Sequence, residues 1–427
     1  MDSVRQLVAS RPDFFANRAA WLNRAVRIND FIYMSNGLSN AYMLTTGAGR
    51  VIINTGMGFE APTHKKVFDA VHAGPTPYIL LTQGHVDHVG GVRLFREPGT
   101  ALIAQRNNRP CQADDARIRG VRNRQAYIWF KSAFDASAKA GAEQPAVASQ
   151  DEPLPDIMFD DAHSLNVGGL DLELYATPGG ETIDSCVVWL PKHRILFSGN
   201  VFGPLFPHFP NFNTIRGDKY RYMEPYLDSL RRMRALEPEM LITGHFDPIN
   251  GRELIRACFD RLEAAVEFVH RETLARINGG QDIWTAMREV QLPAELYVGQ
   301  GYGKVSWAVR TIWESYVGWF KADCTSELYP TRPREIHRDL VALAGAEAVV
   351  TRGRQRLAGG DPEGAMLVAE AALAHDAADL PALTLARDAN RALLERSGAV
   401  NFWETGWLRS EVDRLERLIA RAEKGRR

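Results

Sequence analysis

The stretch Leu80-Leu81-Thr82-Gln83-Gly84-His85-Val86-Asp87-His88-Val89-Gly90-Gly91 constrains this chain more than any other. The apolar run from Tyr78 to Leu81 predicts a buried strand, and Gly90-Gly91 lets the chain turn closely on itself into a following helix. His85, Asp87 and His88 fall between the two. A loop at the end of a buried strand holds such side chains on a rigid edge. Imidazole and carboxylate ligate zinc, iron and manganese, so the stretch points to a metal site at the margin of a sheet.

The rest of the chain supplies sheets and helices around that edge. Residues 31–34, 41–45 and 50–53 predict short strands, 62–72 a helix with Pro62 near its start, 89–95 the start of another helix, and 101–104 a further strand. Residues 106–140 are polar, arginine-rich and helical in pattern, long enough to be an insertion covering the site, and 143–155 reads as loop. A second β block follows over 163–167, 170–176, 185–190 and 195–197, with Val167-Gly168-Gly169-Leu170 as a hairpin turn. A helix over 219–236 and a strand over 240–243 lead to Gly244-His245. β blocks alternating with helices predict an α/β fold with sheets packed between helices.

From about residue 252 the strand signals vanish. Helical periodicity runs through 253–277, 305–320, 334–345, 347–357, 362–375 and 380–396. Two domains are therefore expected, 1–275 and 276–427, in keeping with a length of 427 residues. The segments 363–374 and 381–394 resemble one helix-turn-helix repeat unit, but a single unit is weak evidence for a repeat array and an ordinary helical subdomain is the favoured reading. Trp307, Trp313, Tyr316, Trp319 and Phe320 recur at helical spacing and are expected in helix core or in an interface between copies.

Composition excludes several partners. A formal net charge of -1 argues against nucleic acid or an anionic membrane, and no stretch is long and apolar enough to span a bilayer. The N-terminus carries Asp2, Arg5, Arg11 and Asp13 and lacks the apolar core of a secretory signal. Cys111, Cys186, Cys258 and Cys324 are scattered, forming neither a metal clip nor a disulfide frame. Buried, reduced thiols in a cytoplasmic protein are the expectation.

The Gln83-to-His88 spacing resembles the T-H-x-H-x-D-H signature of the metallo-β-lactamase fold, with Gln83 standing at the first histidine. Further segments fit the same signature. Thr177-Pro178-Gly179-Gly180-Glu181-Thr182-Ile183-Asp184-Ser185 resembles its T-P-G-H-T-x-x-S loop, with Glu181 at the histidine. Leu196-Phe197-Ser198-Gly199-Asn200 resembles the loop of the metal-bridging aspartate, here Asn200. Ile242-Thr243-Gly244-His245 matches the last ligand, and Ile52-Ile53-Asn54-Thr55-Gly56 a loop in which Asn54 replaces the usual aspartate. The resemblance implies an αββα sandwich with one metal site of Gln83, His85 and Glu181 and another of Asp87, His88 and His245, Asn200 lying between them. With neutral amides at Gln83 and Asn200, less charge holds two dications together. The expectation is one well-filled site at Asp87, His88 and His245, with the other weak or empty unless Glu181 supplies enough charge for a pair.

Glutamate in the second loop resembles the alkylsulfatase branch of that fold, whose loop reads T-E-A-P-A-E. The helical half is similar too. Gly301-Tyr302-Gly303-Lys304-Val305-Ser306-Trp307-Ala308-Val309-Arg310 resembles R-G-Y-Y-G-T-V-S-H-N-V, Asn401-Phe402-Trp403-Glu404-Thr405-Gly406 resembles N-F-Y-L-T-G, and Asn213-Thr214-Ile215-Arg216-Gly217 resembles L-T-L-R-G. This implies that 276–427 is an all-helical alkylsulfatase-type dimerisation domain and that the chain is a homodimer. Three departures point away from long-chain alkyl sulfates: the changed ligands at Gln83 and in the Gly199-Asn200 loop, Trp307-Ala308 at the family's His-Asn, and a chain ending at Arg427 without the sterol-carrier-like third domain.

The expected function is hydrolysis of a small sulfate ester, lactone or carboxylic ester by metal-activated water. Zinc is the expected ion, one or two per chain, with manganese and iron(II) as alternatives. Asp87 would ligate and orient water, Arg216 would bind an anionic group, and Tyr302 and Lys304 would line the same pocket. The rival readings are a mononuclear iron enzyme doing redox or lyase chemistry, since two histidines and a carboxylate suit Fe(II), and a metal-poor dimeric binding protein.

Overall fold

Period-two alternation along the strands sorts the hydrophobic core into layers. In a computed structural model, which describes residues 2–425 apart from 21, 146–148 and 333, two sheets face each other. The first runs in chain order through β1 (Val26–Arg27), β2 (Ile32–Ser35), β3 (Ala41–Thr46), β4 (Gly49–Ile53), β5 (Tyr78–Leu80), β6 (Ala101–Gln105) and β7 (Ile157–Phe159). It is antiparallel as far as β4 and parallel from β4 to β7. The second has the order β13-β12-β11-β10-β9-β8, from β8 (Ala162–Val167), β9 (Leu170–Ala176), β10 (Cys186–Leu190), β11 (Ile195–Gly199), β12 (Met240–Thr243) and β13 (Ile249–Asn250). All its pairings are antiparallel except β11 with β12.

Tyr42, Leu44, Val51 and Ile53 of the first sheet meet Leu172, Leu174, Val188, Leu190 and Phe197 of the second in one cluster between the sheets. Their neighbours point the other way. Met43, Ile52 and Ile79 pack outward on Val67, Phe68, Val92 and Phe95. Val187, Trp189, Leu196 and Leu241 pack outward on Tyr226, Leu230, Phe259, Leu262 and Val266. The result is the αββα sandwich that the sequence leads one to expect. Strands β5 and β10 read as unbroken apolar runs because both faces are covered.

Tight packing reshapes one expected element. In place of a helix over 89–95 there are two single-turn helices, Val86–Val89 and Val92–Phe95. Gly90-Gly91 interrupts them, and a Cβ on Gly91 would lie 2.4 Å from Ala61 Cβ and 2.7 Å from the Thr55 carbonyl oxygen. Residues 106–140 form an arm of two helices, Asn108–Arg117 and Arg119–Glu143, the second kinked at Phe130. The following loop includes 146–148, outside the described residues. The helix expected from 219 begins only at Met223.

By internal contacts the chain divides into Met1–Tyr316 and Val317–Arg427. The expected change of character near residue 275 falls inside the helix Arg252–Asn278. Composition changes where strands stop; contacts thin later, because Phe259, Leu262 and Val266 of that helix and Val309, Ile312 and Trp313 of the helix Val305–Val317 still pack in the cluster with the second sheet. The second unit is all-helical. Its core joins Val350, Ala365, Ala369, Ala382, Leu383, Ala386 and Leu415. Asp361 and Asp379 cap helices Pro362–His375 and Leu380–Arg396 by accepting the Gly364 and Ala382 amides at 2.8 and 2.7 Å.

One other expectation needs correcting. Cys111, Cys186 and Cys258 are buried free thiols, but Cys324 is exposed, because it sits in a loop of the second unit. Of the recurrent aromatic residues, Trp313 belongs to the core, whereas Tyr316 and Trp319 are exposed on the helix end and the segment after it. No helix among the described residues is long and apolar enough to cross a membrane.

Candidate metal centre

Every loop singled out in the sequence leaves the same edge of the sandwich. Leu81 extends β5 by donating to the Ile103 carbonyl, and Asn54, at φ 57°, holds the next turn. Its Oδ1 accepts the Thr82 amide at 3.0 Å and its Nδ2 donates to Thr82 Oγ1 at 2.9 Å. Asparagine tolerates this left-handed conformation better than most residues. His85 then starts the turn Val86–Val89, which carries Asp87 and His88. Asn200 follows β11, and His245 follows β12. Parallel pairing of β11 and β12 puts these two loop starts side by side, with Gly244 donating to the Gly199 carbonyl at 2.9 Å. A Cβ on Gly244 would lie 2.0 Å from Asn200 Oδ1, so this close approach needs glycine.

Asp87, His88 and His245 offer ligand atoms that all lie within 4.8 Å of one another, the one such group of three among the described residues. Asp87 Oδ2 is 3.5 Å from His88 Nε2. Asn200 Nδ2 donates to Nε2 of both His88 (3.1 Å) and His245 (3.0 Å). Since Nε2 accepts, neutral His88 carries its proton on Nδ1, which faces Ser39 Oγ at 3.2 Å. Both histidines are buried, whereas a quarter of the Asp87 side chain is exposed. Burial lowers both imidazole pKa values, that of His245 to about 4. The ring lone pairs therefore stay available at neutral pH, as metal ligation requires. Burial pushes the Asp87 carboxyl up, but His88, His245 and His85 outweigh it and hold it below the usual range. Two neutral imidazoles, a carboxylate and the buried, unpartnered Asn200 Oδ1 suit a divalent ion.

The other half of the cluster is occupied by protein charges. Both Glu181 oxygens face one guanidinium, with Arg221 Nη1 and Nη2 at 3.2 and 3.3 Å. Arg221 also donates to the Asn211 carbonyl at 2.6 Å and lies 3.7 Å from Asp218. His85 is flanked by carboxylates on its two ring nitrogens, Glu181 at 3.6 Å from Nδ1 and Asp218 at 3.5 Å from Nε2. Gln83 is fully buried, its Nε2 donating to His85 Nδ1 at 3.2 Å and its Oε1 unpartnered. Gln83 and Glu181 thus face the same nitrogen of His85, and Asp218 the opposite one.

A basic rim adjoins the cluster. Arg122, from the inserted arm, is buried and pairs with Asp115 and, at 3.0 Å, with Asp218. Its pKa falls to about 10, through burial first and then the neighbouring Arg216 charge. Arg216 is partly buried, and its Nε has no hydrogen-bond partner. Tyr302 stacks edge-on to Phe14 at 5.0 Å between centroids, and Phe14 in turn meets His245 at 5.6 Å. Lys304 lies over the Trp307 ring at 5.7 Å.

All seven expected ligands thus lie in one contiguous cluster, with Arg216 and Tyr302 beside it. Sequence reasoning missed Arg221, Asp218 and Arg122. A hint existed in the run Arg216-Gly217-Asp218-Lys219-Tyr220-Arg221, where charges recur after the Arg216 motif.

Residues 35–245 match the metallo-beta-lactamase superfamily and residues 284–406 match alkyl sulfatase dimerisation. The chain is 27% identical over 339 residues to a linear primary-alkylsulfatase of a Pseudomonas species, covering 75% of this chain and 62% of that protein. It is 24% identical over 394 residues to an (R)-specific secondary-alkylsulfatase of Pseudomonas, covering 85% and 58% respectively. The solved structure of the stereoselective inverting sec-alkylsulfatase Pisa1 from Pseudomonas superposes with a TM-score of 0.78 at 19% identity, over 92% of this chain and 65% of that one. The chain thus spans roughly six tenths of the length of these two curated relatives.

Proposed function

The chain joins a domain of the metallo-beta-lactamase superfamily to an alkyl sulfatase dimerisation domain, and from that premise we propose that it is a metal-dependent sulfate-ester hydrolase working as a homodimer. The observation that carries the reading is the convergence of Asp87, His88 and His245 donors within 4.8 Å. The Arg216 charge supports it, acting on the same Tyr302 that feels Asp87 and Glu181.

Asp87, His88 and His245 would hold the ion. When bound, it would polarise the ester and lower the pKa of a water toward neutrality. Asp87 is the ligand open to solvent, so it also orients the attacking water. Arg216 would take the sulfate oxygens through its planar fork. Burial raises the Tyr302 phenol well above its ordinary pKa; it remains a hydrogen-bond donor at neutral pH. Ser39, facing His88 Nδ1, would fix that ring from behind, as groups behind metal ligands do, while Asn200 sits between the His88 and His245 rings.

The test is elemental analysis of protein purified without added metal, together with sulfate release from alkyl sulfates of graded chain length and hydrolysis of matched carboxylic esters. Wild type should hold metal and release sulfate. His88→Ala should lose both, and Gln83→Ala should keep its metal. At an ion concentration a hundred times Kd, binding stabilises the fold by about 2.7 kcal/mol, so metal removal should lower the melting temperature of wild type and leave that of His88→Ala unchanged. Iron with oxygen-dependent turnover would favour the mononuclear redox reading, since the same donors suit Fe(II). Zinc or manganese without sulfate release would point to another ester, and no metal at all to a binding protein.

A further inference from the structure

The half-site around His85 has the donors of a metal site but a different source of positive charge. Glu181 is buried and spends both oxygens on the Arg221 guanidinium. Arg221 is itself buried and anchored by the Asn211 carbonyl at 2.6 Å, so it cannot swing away without leaving its charge unpaired. Asp218 adds a second carboxylate, answered by Arg122 at 3.0 Å and Arg221 at 3.7 Å. Arg122 also pairs with Asp115, so three carboxylates share two guanidiniums, and each Glu181 oxygen already faces a guanidinium nitrogen with no ion present. Glu181 and Gln83 face one nitrogen of His85 and Asp218 the other, so the two carboxylates do not meet on a common point, and the neighbour that shares a nitrogen with Glu181 is a neutral amide. The positions that would bring a neutral imidazole and a shared anion carry amides instead, Gln83 and Asn200.

We propose that Arg221 takes the place of a second metal ion: it supplies the fixed positive charge of this half-site and, by holding Glu181, keeps the centre mononuclear. The inference rests on the reading that Asp87, His88 and His245 hold one ion. It also predicts that anions meet a guanidinium there, not a Lewis acid. Arg221 is a positioning residue in this account, acting through Glu181.

The experiment is titration of the metal-stripped whole chain with Zn²⁺, and separately Mn²⁺, counting bound ions by equilibrium dialysis and elemental analysis, with circular dichroism as the folding check. Wild type should saturate at one ion per chain. Arg221→Met frees Glu181 and should take a second, weaker ion. Glu181→Gln/Arg221→Met, which removes both charges, should stay at one. Gln83→His/Asn200→Asp restores ligand types but keeps Arg221, and should also stay at one. Two ions in wild type or in either double variant overturn the proposal, as does a folded Arg221→Met that still takes one. If Arg221→Met does not fold, the two double variants decide. No ion in wild type overturns the metal reading and this inference together, whereas one ion in every variant overturns this inference alone.

Discussion

His208 is a buried imidazole whose Nδ1 accepts the Gly301 amide at 3.0 Å. Protonating that nitrogen would break the bond, and burial pushes the pKa down to about 3. The unfolded value is near 6.5, so between the two the unfolded chain binds more protons than the folded one. Stability from this residue is therefore complete above about pH 6.5 and is lost as pH falls toward 3. From pH 7 to pH 5 the loss amounts to about 2 kcal/mol. His208→Asn, with its side-chain oxygen still able to accept, should show a shallower decline in urea unfolding over that range; a slope equal to wild type would assign the pH dependence elsewhere. The sequence does not mark His208 as this sensitive residue, because its partner lies 93 residues away. The site divides in the same way. His85, Asp87 and His88 are readable because one short loop carries them. Arg221 is not, since the contact with Glu181 spans 40 residues and is made only when the second sheet and its helices pack.

Among elements, the arm of Asn108–Arg117 and Arg119–Glu143 is tied down at its base. Asn108 donates to Asp184 at 2.8 Å, Gln112 to the Pro153 carbonyl at 3.1 Å, and Arg122 reaches Asp218. Beyond Phe130 its residues are half-buried or exposed. Arg122→Met leaves Asp218 short of a partner and should cost on the order of 3 kcal/mol. It should also speed proteolysis within 119–143 and change substrate preference while leaving metal content intact. Loss of metal would mean that the arm supports the centre itself and is no cover over it. The inner strands were legible because both their faces are apolar, so even three residues stand out. The single helix expected over 89–95 was not, because the pressure of Ala61 and Thr55 on Gly91 is invisible to periodicity. The last helix, Phe402–Gly425, had a signal that went unread: Asn401 accepts the Trp403 and Glu404 amides at 3.0 and 3.1 Å, an asparagine cap with Glu404 three residues on.

For the whole molecule, the second unit exposes a stripe that a lone chain would not favour. Ile336, Leu340 and Leu343 recur along one face of the helix Glu335–Ala344 and are 54%, 53% and 86% exposed. If this face joins two copies, Leu340→Glu/Leu343→Glu should shift the chain from dimer to monomer in light scattering, with metal content unchanged; a dimer that persists would place the contact on another face. The spread of the ligand loops also sets a timetable. Asp87 and His88 leave the ribosome with the first sheet, and His245 comes at the end of β12 in the second. At about 5–20 residues per second, the two early donors wait on the order of ten seconds for the third. If Asp87, His88 and His245 hold an ion, its full ligand set exists only once β12 has been made, so the centre is completed by the second sheet and not by the first.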